Sequence, residues 1–210
     1  MIQPERISQL NQKPAGNGQY VMYWMQASQR TECNHALEYS ILQANKLKMP
    51  LIVFFGLTDG FPEANERHYA FMLQGLEEVA ASLEKRGIKF IVRRQSPELA
   101  AAELSAKACM VIVDRGYLRI QRDWRRFAAD HMKVPLIQVE SDVLVPVEAA
   151  SPKEEFSAGT FRPKFNRLLE QYLVPLPKKK PLVSSLDIEV PDSIELEGRG
   201  AVLAGMRIDR

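Results

Sequence analysis

The sequence has few cysteines, little net charge and no long hydrophobic run, and each shortage excludes a class of protein. Cys33 and Cys109 are the two cysteines and lack metal-ligand spacing, so we expect a reduced, cytoplasmic protein without a disulfide framework. The 28 Lys and Arg residues nearly balance the 26 Asp and Glu residues, and the net charge of +2 does not predict strong global attraction to nucleic acid. No apolar run approaches the ~20 residues of a membrane span, so no membrane contact is predicted.

The usual signatures of phosphate binding and of serine hydrolysis are also missing. The turn after the first predicted strand, residues 25–30, contains no glycine, which disfavours a dinucleotide or triphosphate cradled on the next helix. No Gly-x-Ser-x-Gly elbow is present, and His35, His68 and His131 have no ligand spacing. His35 and His68 are predicted in first turns of helices on the ligand side of the sheet. The residues alone therefore name no catalytic set.

The pattern that is present alternates strands with helices. Apolar runs at 20–25, 51–55, 88–92, 109–114 and 135–140 predict strands buried on both faces, as in a parallel sheet. Helical periodicity predicts helices over 31–48, 65–85, 97–107 and 118–131, the first capped by Ser28 or Thr31. The predicted fold class is α/β: a doubly wound, five-stranded parallel sheet of Rossmann type.

The flanking segments differ in composition from this core. Residues 1–18 are predicted as an irregular lead-in, 19–148 as the α/β domain and 149–175 as an exit loop and helix opening at Arg162 and Pro163. Val143–Val147 is predicted as one more short strand. Residues 176–210 contain several prolines and the run Lys178–Lys180, which predicts a surface linker with a solvated charge run and a weak helical signal at 201–206.

Ligands of open parallel sheets bind at the carboxyl ends of the strands, so the residues there are candidates. Those positions hold Trp24, Met25, Gln26, Ala27, Phe54, Phe55 and Asp114. An aromatic and methionine-rich wall suits a flat ring, but the same aromatic side chains also suit the packing of helix against sheet. On the fourth helix, Arg119, Arg122 and Arg126 share one face, which could contact phosphates but is better explained as solvated beside Asp123 and Asp130.

Four blocks of sequence, in the same order and spacing, resemble one known family. The blocks are YVMYWMQASQR at 20–30, RHYAFMLQGL at 67–76, the segment from Asp114 to Trp124, and the segment from Val145 to Lys164 that includes TFRPK. They are similar to class II cyclobutane-pyrimidine-dimer DNA photolyases over roughly residues 5–175. The resemblance implies the N-terminal α/β domain of the photolyase and cryptochrome fold.

The resemblance also implies cofactors, partners and an activity. Photolyases of this class are deoxyribodipyrimidine photo-lyases, which repair damaged DNA with FAD held in a helical C-terminal domain. Their N-terminal domain can hold a light-harvesting antenna, such as 8-hydroxy-5-deazaflavin. Because this chain ends at Arg210, the FAD domain is expected to be absent, and the chain alone is expected to bind DNA weakly and not to be catalytic.

The residues that the resemblance assigns to an antenna pocket lie at the strand ends. They are Tyr23, Trp24, Met25, Gln26, Ala27, Ser28, Phe54, Phe55 and Asp114, with Met25 and Gln26 expected as ring contacts and Asp114 as a hydrogen-bond acceptor. Two other functions stay open: a nucleoside- or nucleotide-binding module, and a structural interaction domain. Residues 143–175 are the expected contact with a helical FAD domain or a second copy, through Phe156, Phe161, Phe165, Leu168 and Leu169.

Overall fold

A computed structural model describes residues 2–209 and shows one six-stranded sheet with helices on both faces. Met1 and Arg210, the outer ends of the predicted segments 1–18 and 176–210, lie outside the described residues. The strands are β1 (Ile7–Gln9), β2 (Tyr20–Trp24), β3 (Leu51–Leu57), β4 (Lys89–Arg94), β5 (Ala108–Asp114) and β6 (Leu136–Val139). They lie in the order β1-β6-β5-β2-β3-β4, and every neighbouring pair except β1 with β6 is parallel.

The helices cover the sheet because its central strands are apolar on both sides. They are α1 (His35–Leu47), α2 (Glu66–Glu84), α3 (Pro97–Ser105), α4 (Arg119–His131), α5 (Val147–Ala150), α6 (Ala158–Tyr172) and α7 (Arg199–Gly205). On one face, Trp24 and Phe54 pack with residues of α3 and α4. On the other face, Tyr23 and Met25 pack with residues of α1 and α2. Among residues 2–209, no helix combines the length and the hydropathy needed to cross a bilayer.

The first segment of the chain corrects the predicted strand count from five to six. Residues 7–9, predicted as part of an irregular lead-in, form β1 and pair antiparallel with β6. The Arg6 guanidinium holds this edge by donating to the carbonyl oxygens of Glu140 (3.2 Å) and Val143 (2.9 Å). Such a short strand is stabilised by partners about 130 residues away, which local sequence patterns do not reveal.

Several predicted element boundaries are wrong. Helix α1 is capped by Asn34, whose side chain accepts from the Leu37 N–H (2.9 Å), and not by Ser28 or Thr31. The predicted strand Val143–Val147 is absent, and helix α5 begins at Val147. Helix α6 begins at Ala158 behind the cap Ser157, so its Pro163 lies inside the helix and does not open it.

The segment after α6 is ordered against the domain. Ser185 is buried, and its backbone N–H donates to the Gly87 carbonyl oxygen (2.9 Å). Leu196 and Met206 pack in one apolar cluster with residues of α2, and α7 follows the weak helical signal at 201–206. That residues 176–210 act as a linker towards a FAD domain stays a prediction.

The contact region predicted at 143–175 is partly covered. Phe156 is fully exposed and Phe161 is 38% exposed. Phe165 and Leu168 are half-buried against a small cluster of Val145, Ala150 and Tyr172.

Gly18 brings the chain into direct backbone contact with β5, and this contact yields a stability test. A Cβ atom at position 18 would lie 2.1 Å from the Ala108 carbonyl carbon, whereas a Cβ atom at Gly75 in α2 meets no atom within 4 Å. We expect Gly18→Ala to lower the free energy of unfolding by about 1–3 kcal/mol in urea titrations, because the clash is with backbone. Gly75→Ala is the control and should keep or raise stability. Equal effects of the two substitutions would contradict this packing.

Candidate functional site

The Asp114 carboxylate, at the end of β5, organises the turn between β2 and α1. It accepts hydrogen bonds from the backbone N–H groups of Gln26 (3.0 Å), Ala27 (2.9 Å) and Ser28 (2.8 Å), and from the Tyr23 hydroxyl (3.1 Å). Burial raises the pKa of the Asp114 carboxyl, and the three N–H groups act in the opposite direction. Because these N–H groups already bind a carboxylate of the chain itself, they do not offer a phosphate cradle.

A cavity of about 720 Å³ opens at the carboxyl ends of β2 and β3, under the first half of α2. Its lining consists of Gln26, Ala27, Gln29, Phe55, Gly56, Leu57, Thr58, Phe61, Pro62, Glu63, Ala64, His68, Tyr69, Phe71, Met72, Gly75 and Gln121. Most of these side chains are apolar or aromatic. The cavity is therefore suited to a flat organic molecule that makes a few polar contacts.

The Gln26 side chain fixes one part of the cavity wall. Its Oε1 accepts from the Trp24 indole N–H (2.9 Å) and from the Gly56 N–H (3.2 Å), and its Nε2 donates to the Gly56 carbonyl oxygen (2.9 Å). These bonds tie the end of β2 to β3. One hydrogen of Nε2 is left over in this arrangement, so Gln26 retains a donor for a ligand.

Helix α2 and the loop before it form the opposite wall. The Tyr69 hydroxyl donates to the Thr58 carbonyl oxygen (2.8 Å) and accepts from the Phe61 N–H (3.3 Å), which holds the loop across the cavity. His68 Nδ1 accepts from the Asn65 N–H (3.2 Å), so a neutral His68 ring carries its hydrogen on Nε2. Phe71 is 82% exposed, an unusual state for a phenylalanine that lines a cavity.

The structure divides the predicted site residues into two groups. Gln26, Ala27 and Phe55 line the cavity. The other six lie in the buried interior: Tyr23, Trp24, Met25, Ser28, Phe54 and Asp114. The structure thus differs from the expectation for Met25, which packs beside α1, and for Asp114, whose oxygens serve the turn. As ligand contacts, Gln26, Ala27 and Phe55 stay predictions.

His68 was predicted on the ligand side of the sheet, but the other residues of α2 that line the cavity were not predicted as part of the site. His68, Phe71, Met72 and Gly75 recur at spacings of three and four and form one stripe along this helix. The sequence signal for this wall was Gly75, a glycine inside a predicted helix, four residues after Phe71 on the same stripe. Among residues 2–209, no group of three or more His, Cys, Asp or Glu side chains could hold a metal ion.

The basic face of α4 is solvated as predicted. Asp123 pairs with Arg126 (2.9 Å) and approaches Arg119 (3.9 Å). His35 lies at the first residue of α1, outside the cavity lining, and its Nδ1 has no hydrogen-bond partner among the described residues.

Replacing Asp114 tests the role of its carboxylate in the turn. In Asp114→Asn an NH₂ group stands where an oxygen accepted N–H groups, so buried donors lose their acceptor. We expect the free energy of unfolding to fall by about 3 kcal/mol in urea titrations. The exposed Asp130→Asn on α4 is the matched control and should change it by less than about 0.5 kcal/mol. An Asp114 variant as stable as this control would contradict the assignment.

His35 makes a testable contribution to the pH dependence of stability. Burial lowers the pKa of His35 to about 4, and the charges of Arg6 and Arg30 act in the same direction. The unfolded chain therefore takes up this proton at about pH 6.5, before the folded chain does, and stability is lost as pH falls from there towards 4. His35→Gln should lose less stability than the parent over this interval, measured by urea unfolding. A His35→Gln profile identical to the parent's would contradict the prediction.

Comparison with known proteins agrees with this architecture. The sequence model of the DNA photolyase family matches residues 21–181. A deoxyribodipyrimidine photo-lyase of Methanothermobacter thermautotrophicus is 53% identical over 190 residues, which cover 90% of this chain and 43% of that protein. The deoxyribodipyrimidine photo-lyase of Potorous tridactylus is 34% identical, over 91% of this chain and 36% of the relative. The chain thus spans less than half the length of these relatives.

A solved structure shows that the fold is shared. The archaeal photolyase from Sulfolobus tokodaii, crystallised with two FAD molecules, superposes with a TM-score of 0.63 at 17% identity, over 90% of this chain and 42% of that one. The predicted photolyase-type α/β fold is therefore confirmed, with six strands in place of five. On the family match over residues 21–181 and the identity to curated photo-lyases, this chain belongs to the DNA photolyase family.

Proposed function

We propose that this chain is the light-harvesting α/β domain of a class II-type photolyase, and that its cavity binds a flat antenna chromophore of the 8-hydroxy-5-deazaflavin type. The observation that supports this best is the cavity itself: about 720 Å³, lined mostly by apolar and aromatic side chains at the carboxyl edge of the sheet. That volume lies within the ordinary range for sites of small organic ligands.

The donor set of the cavity fits a largely neutral ring better than a nucleotide. Phe55, Phe61 and Tyr69 offer aromatic surface for a ring. The turn N–H groups that would otherwise attract a phosphate are bound to the Asp114 carboxylate. This saturation argues against the nucleotide-binding alternative, although it leaves room for a nucleoside.

Four of the lining residues have a definite task in this proposal. Gln26 donates its remaining amide hydrogen to a ring carbonyl, and Nε2 of His68 offers a second donor. Gly75 has no side chain, and no atom lies within 4 Å of the place where its Cβ atom would be, so space for the ring stays open beside α2. Phe71, exposed beside the opening, covers the ring from solvent.

The wider activity follows from family membership and is part of the proposal. An antenna absorbs light and passes excitation energy to FAD, which in the whole protein repairs pyrimidine dimers in DNA. The Sulfolobus tokodaii photolyase was solved with two FAD molecules and a light-harvesting cofactor was inferred there, so a flavin is the natural competitor to test. The contact of residues 143–175 with a helical FAD domain or a second copy also stays a prediction.

A fluorescence titration of the chain with 8-hydroxy-5-deazaflavin, with FMN and ATP as comparison ligands, tests the proposed site. We expect saturable binding of the deazaflavin, weaker binding of FMN and none of ATP. Gly75→Leu should weaken deazaflavin binding at least about tenfold, because the new side chain fills the cavity. Gln74→Leu, an exposed position on the same helix, is the matched control and should bind like the parent.

Two outcomes would contradict the proposal. One is the absence of deazaflavin and FMN binding to a folded chain. The other is equal binding by the Gly75→Leu and Gln74→Leu variants, which would place the ligand outside this cavity.

A further inference from the structure

The run Lys178–Lys180, predicted as a solvated charged linker, is held in place by side chains of α1 and of Arg86, which follows α2. The Lys179 N–H donates to Glu38 Oε2 (2.6 Å), and the Lys179 carbonyl oxygen accepts from Arg86 Nη2 (2.7 Å). Glu38 and Arg86 also pair with each other (2.7 Å). The backbone of the run is therefore fixed, and its position relative to the helices is defined.

Asn45 of α1 fixes the next residues in the same way. Its Nδ2 donates to the Lys180 carbonyl oxygen (2.9 Å), and its Oδ1 accepts from the Leu182 N–H (2.8 Å). Both bonds use backbone groups, so the Lys180 side chain is not consumed by the anchoring. A preorganised group of cations costs less to order on binding than a flexible one.

The anchored run and the end of α2 enclose a concave surface of about 560 Å³, which we call the lysine cleft. Its lining is Lys85, Arg86, Gly87, Lys178, Lys179, Lys180, Pro181, Leu182 and Ser184. Five of these nine residues are basic, and none is acidic or aromatic. The cleft therefore fits an anion and offers no surface on which a base or another ring could stack.

Three ammonium groups of the lysine cleft are free to bind. Arg86 is paired with Glu38, and Lys178 with Glu32 (2.6 Å). Lys85, Lys179 and Lys180 are exposed, and in the described part of the chain none of their ammonium nitrogens lies within 4.0 Å of a carboxylate oxygen. Their charge is thus available to a partner, although the chain as a whole is nearly neutral.

The lysine cleft lies at the amino-terminal ends of β3 and β4, and the aromatic cavity lies at the carboxyl ends of the strands. Gly87 precedes β4, and Ser185, which follows the lining residue Ser184, donates its hydroxyl to the Leu51 carbonyl oxygen at the start of β3. The cavity is at the far end of β3, so the two surfaces are separated by about 20 Å, the length of a strand of this size. A partner at the lysine cleft would not compete with a ligand in the cavity.

We propose that the lysine cleft binds the phosphodiester backbone of duplex DNA, independently of sequence and of any lesion. The choice of DNA among polyanions rests on the proposed function, whereas the anion-binding character rests on the charges and the anchoring. Ammonium groups without neighbouring aromatic rings contact phosphates and do not distinguish bases. The cleft would act as a second contact that keeps the protein on DNA.

Fluorescence anisotropy with an undamaged, labelled 20-base-pair duplex tests this surface without any chromophore. The protein is the full chain, as the parent and as the triple variant Lys85→Gln, Lys179→Gln, Lys180→Gln. We expect the triple variant to bind roughly tenfold more weakly at low salt, and the slope of log K against log salt to fall by roughly 2 to 3, about 0.9 for each lost phosphate contact. Unchanged deazaflavin binding shows that the variant is folded.

The matched control removes the same charge elsewhere, at the exposed Lys13, Lys133 and Lys153. Glutamine at these three positions should leave affinity within about threefold of the parent, since a loss of net charge alone acts weakly at a distance. Equal weakening by both triple variants would overturn the proposal, as would no duplex binding by the parent. Binding of poly-L-glutamate through the same lysines without duplex binding would overturn it in favour of an acidic protein partner.

Discussion

The hydrogen bonds of the buried Asp114 carboxylate are the constraint on which the candidate site depends. This side chain accepts hydrogen bonds from the backbone N–H groups of residues 26–28. It thereby fixes the turn between β2 and α1 and joins that turn to β5. The turn of a nucleotide-binding sheet offers such groups to phosphate. Here they are used internally, and Gln26, placed by the same turn, closes one wall of an apolar cavity. The same interaction thus stabilises the fold and leaves these N–H groups without a free hydrogen bond for a phosphate.

Much of the fold could be predicted because its main signals are local. The run Leu51–Phe55, apolar on both faces, predicts a central parallel strand, and the helical periodicity of residues 65–85 predicts a helix packed on the sheet. The antiparallel strand β1 could not be predicted, because three residues with one half-buried position gain their stability from distant β6. Ser28 was an unsuitable choice of helix cap, since its hydroxyl binds Asp142 (2.8 Å).

The site was less predictable because strand ends place side chains on both faces of the sheet. Trp24 and Phe54 lie under α3 and α4, Met25 lies beside α1, and the cavity is formed at Gln26 and Phe55. The wall on α2 depends on how this helix crosses the end of β3, which sequence spacing does not give. The lysine cleft was hidden for a similar reason, since its anchors Glu38, Asn45 and Arg86 are distant from the lysines in sequence.

We propose that the aromatic cavity under α2 is the chromophore site. A crystal structure of the chain grown with 8-hydroxy-5-deazaflavin tests this assignment most directly. We predict electron density for the ring between Phe55 and α2, against Tyr69 and Gly75, with the Gln26 amide on a ring oxygen. Density for the ring at another surface, with this cavity filled by solvent, would contradict the claim.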